Sequence, residues 1–206
     1  MDFIERSHAD STNQPVPQSE SAEKTYLPYL HDLVFLITGV ILMFSLLFRI
    51  VVVSGPSMNN TLVDGDWLLL LSNVVYGQPQ KGDIIVASKD SFDNGAPIIK
   101  RVIATQGETV DIDFEAGIVY VNGTPLEEPY TLTPTNQQEG VAFPITVDEG
   151  CIFVMGDNRN VSKDSRSTDI GLIDCREVLG KAIFLFFPGD NKGSTVRNMK
   201  RIGAVS

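Results

Sequence analysis

The chain has 206 residues, 43% of them hydrophobic and 8% aromatic, with a formal net charge of −10. That length holds one domain of ordinary size plus extra segments. An acidic balance with no basic stripe and few aromatics excludes a nucleic-acid-binding protein.

Residues 1–31 read as a polar tail. SHADSTNQPVPQSESAEK is Pro- and Ser-rich and is expected to be disordered. The longest apolar run follows, LVFLITGVILMFSLLFRIVVV from Leu33 to Val53, with Arg49 as its single charge. A helix rising ~1.5 Å per residue covers about 30 Å over that length, roughly one bilayer core. Arg49 can snorkel to a headgroup layer, and Tyr26 and Tyr29 sit where an interfacial belt lies. A buried core helix is the competing reading, because the uncharged part from Leu33 to Phe48 is slightly short. We expect a transmembrane helix over residues 32–50. The polar residues ahead of it, with no basic opening, argue against a removable signal sequence. Charge alone gives only a weak signal for orientation.

Beyond the span the pattern turns to β. DWLLLL (66–71), GDIIVA (82–87), IIKRVIA (98–104), TVDID (109–113), GIVYV (117–121), EGCIFVM (149–155) and VLGKAIFLFF (178–187) are short β-branched or aromatic runs. Gly, Pro, Asn and Asp separate them, and Asn122-Gly123 is a hairpin turn signal. The expectation is a mainly β fold, a coiled sheet or barrel over residues 51–206, with a loop-rich insertion at about 124–145. Cys151 and Cys175 lack zinc-like or CxxC spacing. A disulfide and two buried thiols both remain open.

Only two histidines exist, His8 and His31, at or before the near end of the span. With the β region across the membrane, a Ser-His-Asp triad and a His-ligated metal are both excluded there. A hydrolase in this chain needs another base. A lysine kept neutral by burial is one such base. Lys100, in IIKRVIA, has apolar neighbours on either side and along its own strand face. Alone it also fits a lysine that reaches solvent at a strand edge. In VMGDNRNVSKDSRS, Asp157, Arg159, Asp164 and Arg166 alternate in sign and suit a charge-paired network that stiffens a loop. A solvated loop gives the same pattern.

Taken together, SGPSMNNTL with VDGDWLLL, KGDIIVA through IIKRVIATQGETVDI, and MGDNRNVSKDSRS with GKAIFLFFP resemble the type I signal peptidases. These are membrane-anchored serine proteases of bacteria, and the resemblance runs from Val51 to Pro188. It implies Ser57 as nucleophile, Lys100 as general base and Ser162 as a serine that hydrogen-bonds and orients the amine. It makes Asp157, Arg159, Asp164 and Arg166 structural. It places Val51, Val53, Met58, Leu62 and Ile99 along shallow apolar pockets for small side chains, as for Ala-X-Ala-like sites. Gly55 stands where some members carry an oxyanion-hole serine, so the Ser57 N–H would bear more of that load. Asn60 and Asn160 replace a common Pro and a common Asp.

The resemblance further implies preprotein signal peptides as substrates, attachment to the bilayer of the cell membrane, an extracytoplasmic catalytic region, a cytoplasmic tail, and neither metal nor cofactor. Two alternatives stand beside it. One is a specialised paralogue with few clients, pilin- or sortase-linked, which a panel of preproteins would expose. The other is a non-catalytic tethered β domain that binds extended peptides by strand addition.

Overall fold

The computed structural model describes residues 20–89, 92–190 and 197–205. Most of the expected tail, residues 1–19, lies outside the described residues. The chain divides into two compact units, residues 1–43 and 44–206.

Helix α1, Glu20–Leu47, starts within the expected tail and stops short of residue 50. Its segment Pro28–Leu47 is long and apolar enough to cross a membrane, and none of it is buried in protein. Thr38 Oγ1 donates to the Val34 carbonyl at 2.7 Å, one turn back, so this hydroxyl needs no outside partner. The next residues, Phe48–Val52, form strand β1. Their sequence, FRIVV, is apolar in both helical and strand periods, which hides the boundary from sequence.

The second unit is an antiparallel β structure. Its larger sheet contains β1, β2 (Trp67–Ser72), β3 (Ile84–Ser88), β4 (Pro97–Thr105), β9 (Cys151–Met155), β10 (Ile173–Asp174), β11 (Val178–Phe187) and β12 (Gly203–Ala204). The order is β1-β2-β11-β3-β4-β9-β10, with β12 also on β11. Among the described residues β1 and β10 do not pair, so the sheet is coiled and open. A smaller sheet, β7-β6-β5-β8, contains β5 (Thr109–Asp113), β6 (Ile118–Val121), β7 (Thr124–Pro125) and β8 (Ile145–Thr146). Asn122 and Gly123 both take positive φ, 53° and 75°, as the tight turn between β6 and β7 requires.

Two core clusters bear on the site. One gathers Val53, Met58 and Leu62 with Leu68, Leu70 and Leu185 beneath β1 and β2. The other places Phe153 and Met155 against Val110, Ile112 and Val119 of the small sheet. Strand β4 runs between them, paired with β3 on one side and β9 on the other. Both ends of the candidate chemistry therefore rest on packed apolar layers.

Cys151 and Cys175 are free thiols. Cys151 pairs across β9 and β10 with Asp174, and Cys175, the next residue, opens a 3-10 turn. Cys151 packs with the Phe153 cluster and Cys175 with the separate cluster of Ile152 and Val154.

Candidate active site

Ser57 sits in a turn held at its base by backbone bonds, Val53 N to Asp66 O at 2.8 Å and Gly65 N to Val53 O at 2.9 Å. Met58 and Leu62, each 1% exposed, drive into the core and anchor the turn. Gly55 adopts φ +89°, a conformation L side chains avoid, and its N–H donates to Asp64 Oδ1 at 2.8 Å. That bond occupies the Gly55 N–H, and a glycine brings no hydroxyl to the oxyanion region. The Ser57 N–H makes no hydrogen bond among the described residues.

Lys100 reaches this turn from β4. Its Nζ lies 3.0 Å from Ser57 Oγ and donates to the Ile99 carbonyl at 3.1 Å. The residue is only 4% exposed. Burial pulls the amine below the ordinary lysine range, against the opposing pull of Asp164 and Glu139.

Ser162 is buried beside this pair but does not bond it. Its Oγ has no hydrogen-bond partner among the described residues, so the expected bond to Lys100 is absent. Gly156 explains the closeness. A Cβ built there falls 2.2 Å from Ser162 Oγ and 2.5 Å from the Ser57 carbonyl, a gap only glycine fits. Removing an unbonded buried hydroxyl is cheap. Ser162→Ala is therefore expected to keep or slightly raise the thermal midpoint. A loss above about 1 kcal/mol in denaturant unfolding would show a bond made in solution.

Of the expected pocket residues, Val51, Val53, Met58 and Ile99 line a cleft of about 530 Å³ that also holds Ser57 and Lys100. Leu62 does not. It belongs to the core under the turn because the Met58–Leu62 backbone bond, 2.9 Å, rolls it inward. Phe92 and Asp93, from the β3–β4 connection, line the cleft unforeseen.

The four charged residues of the third motif do not simply pair with one another. Asp157 takes Arg101 of β4 in a bidentate pair, 2.9 Å at each oxygen, and accepts Thr61 Oγ1 at 2.5 Å. Arg159 grips Glu128 at 2.7 and 2.5 Å and Thr135 at 2.9 Å. Asp164 and Arg166 pair with each other, at 2.8 and 2.9 Å, and Arg166 Nη2 also donates to the Arg159 carbonyl at 2.6 Å. Their partners Arg101, Glu128 and Glu139 lie in distant segments, which a linear motif does not join to them. Asn160 Oδ1 accepts from the Asn136 and Gln137 N–H groups, while its Nδ2 donates to Thr133 and Pro134. An Asp at that position lacks the second set.

Two further residues fix the nucleophile turn. Asn158 N donates to the Ser57 carbonyl at 3.0 Å, and its Nδ2 to the Pro56 carbonyl at 3.1 Å. Arg201 holds buried Asp66 at 2.8 and 2.6 Å and also reaches the Thr61 carbonyl.

The sequence model described as signal peptidase, peptidase S26, matches residues 27–187. The chain belongs to this family. A signal peptidase I of Bacillus licheniformis is 33% identical over 179 residues, which are 83% of this chain and 94% of that one. A probable signal peptidase I-1 of Synechocystis sp. is 37% identical over 194 residues, 88% and 91% of the two chains. The crystal structure of a signal peptidase I from Enterococcus faecalis V583 is 32% identical, with a TM-score of 0.43, covering 52% of this chain and 97% of that chain. The chain is thus a serine peptidase of the signal peptidase I type.

Proposed function

We propose that this family member is a membrane-anchored endopeptidase that removes signal peptides from exported preproteins with a Ser57/Lys100 dyad. The observation that carries the reading is the 3.0 Å approach of Lys100 Nζ to Ser57 Oγ with the amine shut away from solvent. A neutral amine at that distance takes the Ser57 proton as Oγ attacks the scissile carbonyl. The Ser57 N–H, unspent in the free enzyme, faces the oxyanion. The ammonium returns its proton to the leaving amine, giving an acyl-enzyme. Lys100 then draws a proton from water, which releases the peptide acid and frees Ser57.

The cleft's apolar lining of Val51, Val53, Met58 and Ile99 favours small side chains next to the scissile bond, as in Ala-X-Ala. The apolar length of Pro28–Leu47 supports a bilayer anchor, with residues 1–31 on the cytoplasmic side and the β region, residues 51–206, outside.

The test is a pH profile of kcat/KM on a preprotein in detergent, with product masses giving the bond cut. Because burial lowers the Lys100 amine, its reactive neutral form accumulates below the ordinary lysine range. Activity should rise with pH through that depressed value and then level off. A rise that waits for the free-lysine range, about pH 10, sinks the neutral base.

A further inference from the structure

The cleft that holds Ser57 is walled mainly by apolar side chains. Among the described residues that line it, only Lys100 and Asp93 have side chains that can carry a charge. With Lys100 neutral, as the dyad requires, Asp93 holds the only formal charge on that described lining. Asp93 is exposed, and its side chain has no hydrogen bond or ion pair among the described residues. Other aspartates of this unit are spent on structure. Asp64 accepts from Gly55 N, Asp66 from Val63 N and Arg201, and Asp83 from Gln80 N. The Asp93 carboxylate is unspent.

Its place is set by the backbone. Asp93, Asn94 and Gly95 all take positive φ, 45°, 54° and 79°. Aspartate and asparagine tolerate that region better than most residues. Gly95 N donates to the Phe92 carbonyl at 3.0 Å, and Ala96 N to the Asp93 carbonyl at 3.1 Å. Ser88 Oγ donates to the Gly95 carbonyl at 2.7 Å, and Ser88 pairs with Pro97 at the start of β4. The turn is thus tied to the strand that carries Lys100. From Pro97 to Lys100 an extended strand rises about 10 Å. A substrate extended along β4 therefore brings to Asp93 a side chain at least about three places from the bond that Ser57 attacks.

We propose that Asp93 is a specificity-determining residue, which favours preproteins carrying lysine or arginine at that distance from the scissile bond over those carrying glutamate or aspartate. The inference rests on the function proposed above. The attraction is Coulombic and partly open to solvent, so it changes rates a few-fold and not by orders of magnitude. Asp93 stands away from the reacting atoms and holds substrate and transition state alike. The preference should therefore appear in KM, with kcat nearly the same for both substrates.

The test uses the full chain in an uncharged detergent with peptides that span a preprotein cleavage site. Lysine and then glutamate replace each residue within about five places of the cut. The wild-type protein should show a Lys-to-Glu ratio of kcat/KM of about threefold or more at one position. Asp93→Asn keeps a side chain suited to positive φ and should bring that ratio close to unity. Glu115→Gln removes an exposed acid between β5 and β6, outside the cleft lining, and should leave the ratio in place. A wild-type ratio near unity throughout, or one that Asp93→Asn leaves unchanged, overturns the proposal. So does an equal loss in Glu115→Gln, which would assign the preference to net charge. Should Asp93→Asn fail to fold, salt decides with the wild-type protein. Raising it from about 0.1 M to about 1 M shortens screening from about 10 Å to about 3 Å and should flatten the ratio. A ratio that survives the salt overturns the proposal. A wild-type protein that cuts no parent peptide refutes the peptidase reading itself. One that cuts the parent without charge preference refutes only the role of Asp93.

Discussion

Ser57→Ala and Lys100→Ala are each expected to lower kcat/KM for preprotein cleavage by roughly 10⁴-fold or more, with the β fold kept. The two act on one proton, so the double variant should fall little further than either single one. A simple sum of effects would mean that they work separately. Lys100→Met sharpens the test, because it removes the base and fills the same buried slot with an apolar chain of similar length. Lys100 is depressed when folded, so between its folded and unfolded values the unfolded chain holds a proton that the folded one lacks. Its burial therefore costs stability in full below the folded value, and the cost fades as pH rises to the ordinary lysine range. Lys100→Met should raise the thermal midpoint at neutral pH, by an amount that shrinks toward about pH 10. A dead but stabilised protein is the signature of a buried amine kept for chemistry. Near-normal turnover by Lys100→Ala would remove the dyad.

The second large effect concerns Asp157. It is fully buried, pairs with Arg101 through both oxygens, and holds Thr61 of the nucleophile turn. Asp157→Ala leaves the Arg101 guanidinium, 2% exposed, without its carboxylate. Breaking a buried pair from one side costs about 3–5 kcal/mol, which urea unfolding would register. Exchanging both residues in Asp157→Ala/Arg101→Met should recover much of that loss, because no stranded charge remains. Activity should not return with it, since Thr61 and the strand next to Lys100 stay untethered. The exposed Arg176–Asp174 pair is the control, and Arg176→Ala should leave the midpoint unchanged. If Asp157→Ala unfolds no more easily than that control, the ion pair does not hold the turn to β4.

Where local chemistry decides, the sequence was readable. Thr109–Asp113 and Val178–Phe187 are strands with the bounds that their composition suggests, and Asn122-Gly123 makes the expected turn. β1 was hidden because Phe48–Val52 continues an apolar run without a change of character. At the site, the polar motifs read well as types and poorly as pairs. Asp157 and Arg159 sit two residues apart, yet their partners come from β4 and from the stretch expected to be an insertion. That stretch supplies Glu128, Thr135 and Glu139 to the buried network, a task loop-like composition does not announce. Leu62 illustrates the converse. An apolar residue near a nucleophile suits a pocket or a core equally well, and only the roll of the turn separates them. Ser162 is close to the dyad, but closeness fixes no bond. Its hydroxyl direction depends on Gly156 and on atoms a linear pattern does not contain.

The grip of Arg201 on Asp66 and Thr61 makes the short turn Met199–Arg201, after β11, a latch on the segment that displays Ser57. Arg201→Ala would leave every strand, β12 included, in place but unlatch that segment. Catalytic loss would then precede any loss of fold.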